Sequence, residues 1–170
     1  MRLSILMALA LVCSSSPSSA DDKVHNWVKV TEKAGWQPRD SQGEVVFKDQ
    51  LWIFGGWFDS YHAPPRDVWS SPDGKTWKKV TEDAPWKHSD LPMTLTFQDK
   101  IWFMGGWYNG RLPGHSASNE VWWSTDGAKW EQATAKAGWT PRIAAAVVEF
   151  KGRMWMLGGT ENYYFGDDSS

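Results

Sequence analysis

Two histidines of this chain occupy matching places. His62 and His115 each stand five residues ahead of an acidic-Val-Trp triplet, Asp67-Val68-Trp69 and Glu120-Val121-Trp122. Histidine titrates near neutral pH and binds metals through either ring nitrogen, so a matched pair is the first place to look for acid–base or metal chemistry. Their spacing fits no zinc motif, and inheritance as equivalent polar loop residues accounts for them more simply. Around them lie Trp57, Tyr61, Trp107, Tyr108 and Arg111, with Arg39 and Arg142 each closing a Trp-x-Pro-Arg run. Aromatic and arginine side chains bury large areas and make directed hydrogen bonds, which suits contact with a ligand. For the aromatics, ligand contact and packing between neighbouring modules weigh evenly. For Arg39 and Arg142, bracing of loops is the favoured role. No G-x-S-x-G, H-E-x-x-H, phosphate-loop or dinucleotide fingerprint is present. No catalytic residue, metal or cofactor is expected.

These residues are positioned by a repeat. Leu51-Trp52-Ile53-Phe54-Gly55-Gly56-Trp57 returns as Ile101-Trp102-Phe103-Met104-Gly105-Gly106-Trp107, and again as Met154-Trp155-Met156-Leu157-Gly158-Gly159. Trp36, Trp86 and Trp139 each precede Phe47, Phe97 and Phe150 by 11 residues, and those phenylalanines precede Trp52, Trp102 and Trp155 by five. A short apolar run stopped by a glycine pair reads as a buried strand. Four strands fit each unit: residues 44–48, 51–54, 67–71 and 76–81 in the first, with counterparts 93–98, 120–124 and 129–134 in the second. Asp73-Gly74 and Asp126-Gly127 stand between the third and fourth strands, where glycine accepts the positive φ of a tight hairpin turn. In such a meander the loops joining strands two to three and four to one share one face. That face carries all nine aromatic, histidine and arginine residues named above.

Residues 1–20 are set aside from the fold. Arg2, an apolar run from Leu3 to Val12 and the small residues ending Ser18-Ser19-Ala20 have the layout of a signal peptide cut after Ala20. Secretion or a periplasmic location follows as the expectation. Val12 is bulky for a residue preceding a lipidated cysteine, which disfavours a lipid anchor on Cys13. Cys13 is the single cysteine, so residues 21–170 can form no disulfide or thiolate metal site. No run reaches the ~20 apolar residues of a membrane-spanning helix. The net charge of −2, with both signs scattered, gives no sign of a nucleic-acid partner.

The glycine pair after a hydrophobic strand, the acidic-Val-Trp strand start and the tryptophan after a turn together resemble kelch repeats, closest to secreted bacterial kelch-type, galactose-oxidase-like proteins. The resemblance implies an all-β fold of kelch-type β-propeller blades, each a four-stranded antiparallel meander, used mostly for binding. Families of this kind form rings of six or seven blades, whereas this chain offers an incomplete ring of about three. Its expected parts are a leading fourth strand at 26–36, blades at 37–86 and 87–139, and a half-blade at 140–170. The galactose-oxidase copper site needs a tyrosine cross-linked to cysteine, which residues 21–170 cannot supply. Ser71-Pro72-Asp73-Gly74 and Ser124-Thr125-Asp126-Gly127 also resemble the Asp-box of sialidases, one residue short, and that box is a structural hairpin. The expected function is a secreted binding or interaction module with a protein or glycan ligand, self-associating through open strand edges. The rivals are a carbohydrate-active propeller enzyme whose catalytic residues lie outside this chain, and a truncated gene product.

Overall fold

The computed structural model describes residues 27–161, so the expected signal peptide, Cys13 and residues 162–170 lie outside it. The described chain is all-β, without a helix, and forms antiparallel sheets of two to four strands. The first sheet is a meander of β1 (Gly43–Phe47), β2 (Gln50–Phe54), β3 (Val68–Ser71) and β4 (Lys78–Thr81), each beside the next. The second unit begins with β5 (Met93–Phe97) and β6 (Lys100–Met104). Its long loop then holds a small ribbon, β7 (Trp107–Tyr108) against β8 (Ser116–Ala117), before β9 (Val121–Ser124) and β10 (Glu131–Thr134) complete the sheet. Among the described residues, the third unit holds the hairpin of β11 (Ala146–Phe150) and β12 (Arg153–Leu157).

The hairpins follow from local chemistry. Lys48-Asp49, Gln98-Asp99 and Lys151-Gly152 all take positive φ at both turn positions, the backbone of a two-residue turn that matches strand twist. At the other end Ser71 Oγ accepts the amides of Asp73 and Gly74, while Asp73 Oδ1 accepts those of Lys75 and Thr76. Ser124 and Asp126 repeat the arrangement. Both Asp-Gly motifs are hairpin turns whose carboxylates serve the backbone.

Residues 27–36, expected to hold a leading fourth strand with Asn26, form no strand here, and Trp27 is exposed. A strand needs a neighbour's backbone to bond, and no described strand pairs with this stretch, which meets the first sheet through Trp36 packed on Trp69 and Trp77.

The units pack face to face. Phe54, Trp52 and Phe47 of the first meet Phe103 and Trp130 of the second, with Trp86 from the segment joining the two sheets, in one buried cluster. Phe103 stacks on Trp86 at 4.3 Å, and Trp130 meets Trp86 and Phe54 edge-on at 5.7 and 5.9 Å. The backbone joins the units as well: Leu91 donates to the Ser41 carbonyl, and Gly56 donates to that of Ser89. The glycine pair is needed at this joint. Gly55 has φ +66°, and a β-carbon there would strike the Ser89 carbonyl of the next unit.

Candidate functional site

The loops following β2 and β6 do lie together. Trp57 sits half-buried, its ring edge against Gly110, and with Ser60 and Arg111 it lines a cleft of about 220 Å³ between the two long loops. Gly110 is held there by φ +51° and by Trp107, whose indole Nε1 donates to its carbonyl at 2.8 Å. The cleft thus combines an aromatic edge, a guanidinium and a hydroxyl, drawn from two successive units.

The remaining loop residues divide between surface and support. Tyr61 projects into solvent from a turn capped by Asp59, whose Oδ1 accepts the amides of Tyr61 and His62. His62 is exposed beside the same carboxylate at 2.8 Å, with its ring over Phe58. Against desolvation that would raise it, the Tyr61 amide and then the His62 ring hold Asp59 below the usual carboxylate range. Trp107 is buried and stacks on His115 at 5.5 Å, so in this arrangement neither lies open to a ligand as Tyr61 does. The His115 Nδ1–H donates to the Leu112 carbonyl at 3.0 Å. Tyr108 is half-buried under the Lys87 ammonium, 3.9 Å from its ring centre. The two histidines therefore sit in different settings and do not converge. Among the described residues no group of three or more His, Cys, Asp or Glu is placed to hold a metal ion.

Arg39 and Arg142 adopt one pose. Arg39 Nε donates to the Gln37 carbonyl and Nη1 to that of Gly55, and Arg142 repeats both bonds to Thr140 and Gly158. Arg39 also makes a bidentate pair with Asp67, at 2.5 and 3.0 Å, within the protein. Burial alone would raise Asp67, but the hydrogen bonds from Arg39 and from the Trp69 indole hold it below the usual range. Arg39 braces β3 against its loop, its guanidinium held by Gln37, Gly55 and Asp67. Arg142 is half-buried with its hydrogen bonds at the surface, and no carboxylate pairs with it among the described residues.

A polar group that pattern reasoning passed over lies between the first two units. Asp90 is 1% exposed, neither of its carboxylate oxygens has a hydrogen bond of ordinary geometry, and Ser89 Oγ beside it is likewise unpartnered. Burial, and after it the charge of Asp40, push Asp90 up to about 7, against a smaller opposing effect of the Ser41 hydroxyl and Leu91 amide. His88 is driven below its ordinary value, chiefly by burial, and its Nε2 meets Ser116 Oγ at 3.0 Å. The signal was available in the repeat itself. Ser89-Asp90 stands where Arg39-Asp40 and Arg142-Ile143 stand, an exchange of Arg for Ser that leaves Glu120, the counterpart of Asp67, without a matching arginine.

Among the described residues no helix is long and apolar enough to cross a membrane. No family model matches the chain, and no curated protein does.

Proposed function

We propose that this protein is a secreted binding module of kelch type, its sheets acting as propeller blades, and that it holds a protein or glycan ligand on its long-loop face. The observation that carries the reading is the cleft of Trp57, Ser60, Gly110 and Arg111, flanked by the exposed Tyr61. Ligand sites commonly lie on loops set by a rigid scaffold, and here two such loops meet across the joint between sheets. An aromatic edge beside a guanidinium and a hydroxyl suits a ring-sized polar group, whether a sugar residue or a side chain of a protein partner. The opposite face offers short Asp-Gly turns whose polar atoms are occupied by their own backbone.

The test is a binding screen against a glycan array and extracellular protein fractions, repeated with Trp57→Ala, Arg111→Ala and Lys75→Ala combined with Lys129→Ala. The first two variants should each weaken binding, by about tenfold or more for the aromatic, and the lysine pair should leave it unchanged. A ligand that ignores Trp57 and Arg111 but is lost with Lys75 and Lys129 would place the contact on the turn face and refute the reading.

A further inference from the structure

We propose that the outer edge of β12, with Arg142 at its end and the apolar cleft behind it, receives an extended segment from another polypeptide, beginning acidic-Val-Trp and carrying a second tryptophan after a tight turn. Three independent features of the third unit point to one occupant.

The first is a strand edge. In the first sheet β2 pairs with β3 through Phe54↔Val68, Ile53↔Trp69 and Leu51↔Ser71, and in the second β6 pairs with β9 through Met104↔Val121, Phe103↔Trp122 and Ile101↔Ser124. The hairpin of β11 and β12 has the same internal register, Ala146↔Leu157 to Phe150↔Arg153, as β1 has with β2. Nothing pairs with the far side of β12 among the described residues. An edge of unbonded amides and carbonyls is a template for an added strand.

The second is a charge. In the first unit the residue preceding Val68 is Asp67, the carboxylate that Arg39 grips with both nitrogens. Arg142 is already held in that pose by the Thr140 and Gly158 carbonyls, with no carboxylate in the described chain to complete it. Its position asks for an acidic residue at the start of the incoming strand, because a planar guanidinium takes a carboxylate in a bidentate grip.

The third is a cavity. Trp130 fills the joint between the first two units by packing on Phe54, Trp86 and Phe103. The repeat counterparts of those three residues are Met104, Trp139 and Met156, and all three line an apolar cleft of about 340 Å³ between β6 and β12. Trp130 follows Trp122 by eight residues, as Trp77 follows Trp69. A segment seated on β12 with its acid at Arg142 would carry such a tryptophan toward this cleft.

The probe is a labelled synthetic peptide of residues 66–79 of this chain, which holds Asp67, Val68, Trp69, Asp73-Gly74 and Trp77. Fluorescence anisotropy should show saturable binding to the purified chain, and backbone hydrogen exchange should show new protection within Arg153–Leu157. Asp67→Asn in the peptide and Arg142→Gln in the protein should each weaken binding about ten- to hundredfold, with no further loss in combination. Trp77→Ala in the peptide should weaken it by a similar factor. The peptide variants are read on the unmodified protein, so the result does not depend on Arg142→Gln folding. Absence of saturable binding overturns the proposal. So does binding indifferent to Asp67→Asn, protection confined to other strands, β12 amides already protected in the free chain, or a self-associated form that the peptide fails to displace.

Discussion

The joint between the first and second sheets and the outer face of the β11–β12 hairpin are built from the same part of the repeat, yet they are covered to different depths. Phe54 is fully buried, while its counterpart Leu157 is 55% exposed; Trp52 is 6% exposed and Trp155 45%. The local structure does not differ: both tryptophans donate Nε1 to the carbonyl of the phenylalanine five residues earlier, at 2.9 Å. What differs is the neighbour. A β-carbon on Gly55 would strike the next unit's backbone, and one on Gly158 would meet nothing. The comparison teaches that each unit supplies half of a joint, and that burial comes from the unit that follows.

The sharpest way to break the comparison is to remove one aromatic from the filled joint and one from the open face of the hairpin. Trp86→Ala should destabilise the protein by about 3–5 kcal/mol, because the stacked Phe103 and edge-on Trp130 would face a void. Trp155→Ala should cost well under half of that, about 1 kcal/mol, since much of its ring is already in water. Urea denaturation of both variants checks this, and equal losses would show that the open face is covered in solution.

The arginines give the next contrast. Arg39→Ala leaves Asp67 inside the protein without its bidentate partner and should cost about 2–4 kcal/mol. Arg142→Ala removes bonds to carbonyls at an exposed site and should stay within ~1 kcal/mol. Thermal unfolding of the pair, compared at one pH, reads the difference.

A buried acid sharpens the first joint from a different side. Asp90 is raised from 3.8 to about 7, so the folded chain holds its proton over a range where the unfolded chain has released it. Stability on this account is greatest below pH 3.8, falls as the pH rises toward 7, and is level above that. Asp90→Asn should flatten this slope and leave the variant more stable than the parent at pH 8 by roughly 2–4 kcal/mol, with little difference near pH 4. Denaturation at the two pH values decides it. A variant less stable at pH 8 would mean that the carboxylate has a partner worth more than its desolvation.

The smallest expected effect is at the third glycine pair. Gly158→Ala meets only the strain of φ +72°, about 1 kcal/mol, whereas Gly55→Ala adds a collision with Ser89 and should cost visibly more. Comparing melting temperatures of the two single variants is sufficient.

The sequence by itself determined the main strands of the repeated units and their tight turns, though not the leading strand expected at 26–36, of which residues 27–36 form no strand. The main strands and turns depend on neighbours a few residues apart: the apolar runs ending in Gly-Gly, the two-residue turns at Lys48-Asp49 and Gln98-Asp99, and the Ser-x-Asp-Gly hairpins all act through local backbone geometry. It also placed Trp57, Tyr61 and Arg111 on long loops, but it could not say that Trp57 and Arg111 line one cleft while Trp107 turns inward onto His115. Those outcomes rest on which loop packs over which, and the ribbon of β7 and β8 that buries Trp107 is an addition peculiar to the second unit. The pairing of Arg39 with Asp67, 28 residues away, and the isolation of Asp90 were likewise decided by tertiary contact. Equivalent positions in a repeat share a backbone and a type of residue, but whether they are buried, paired or open to solvent is set by what packs against them.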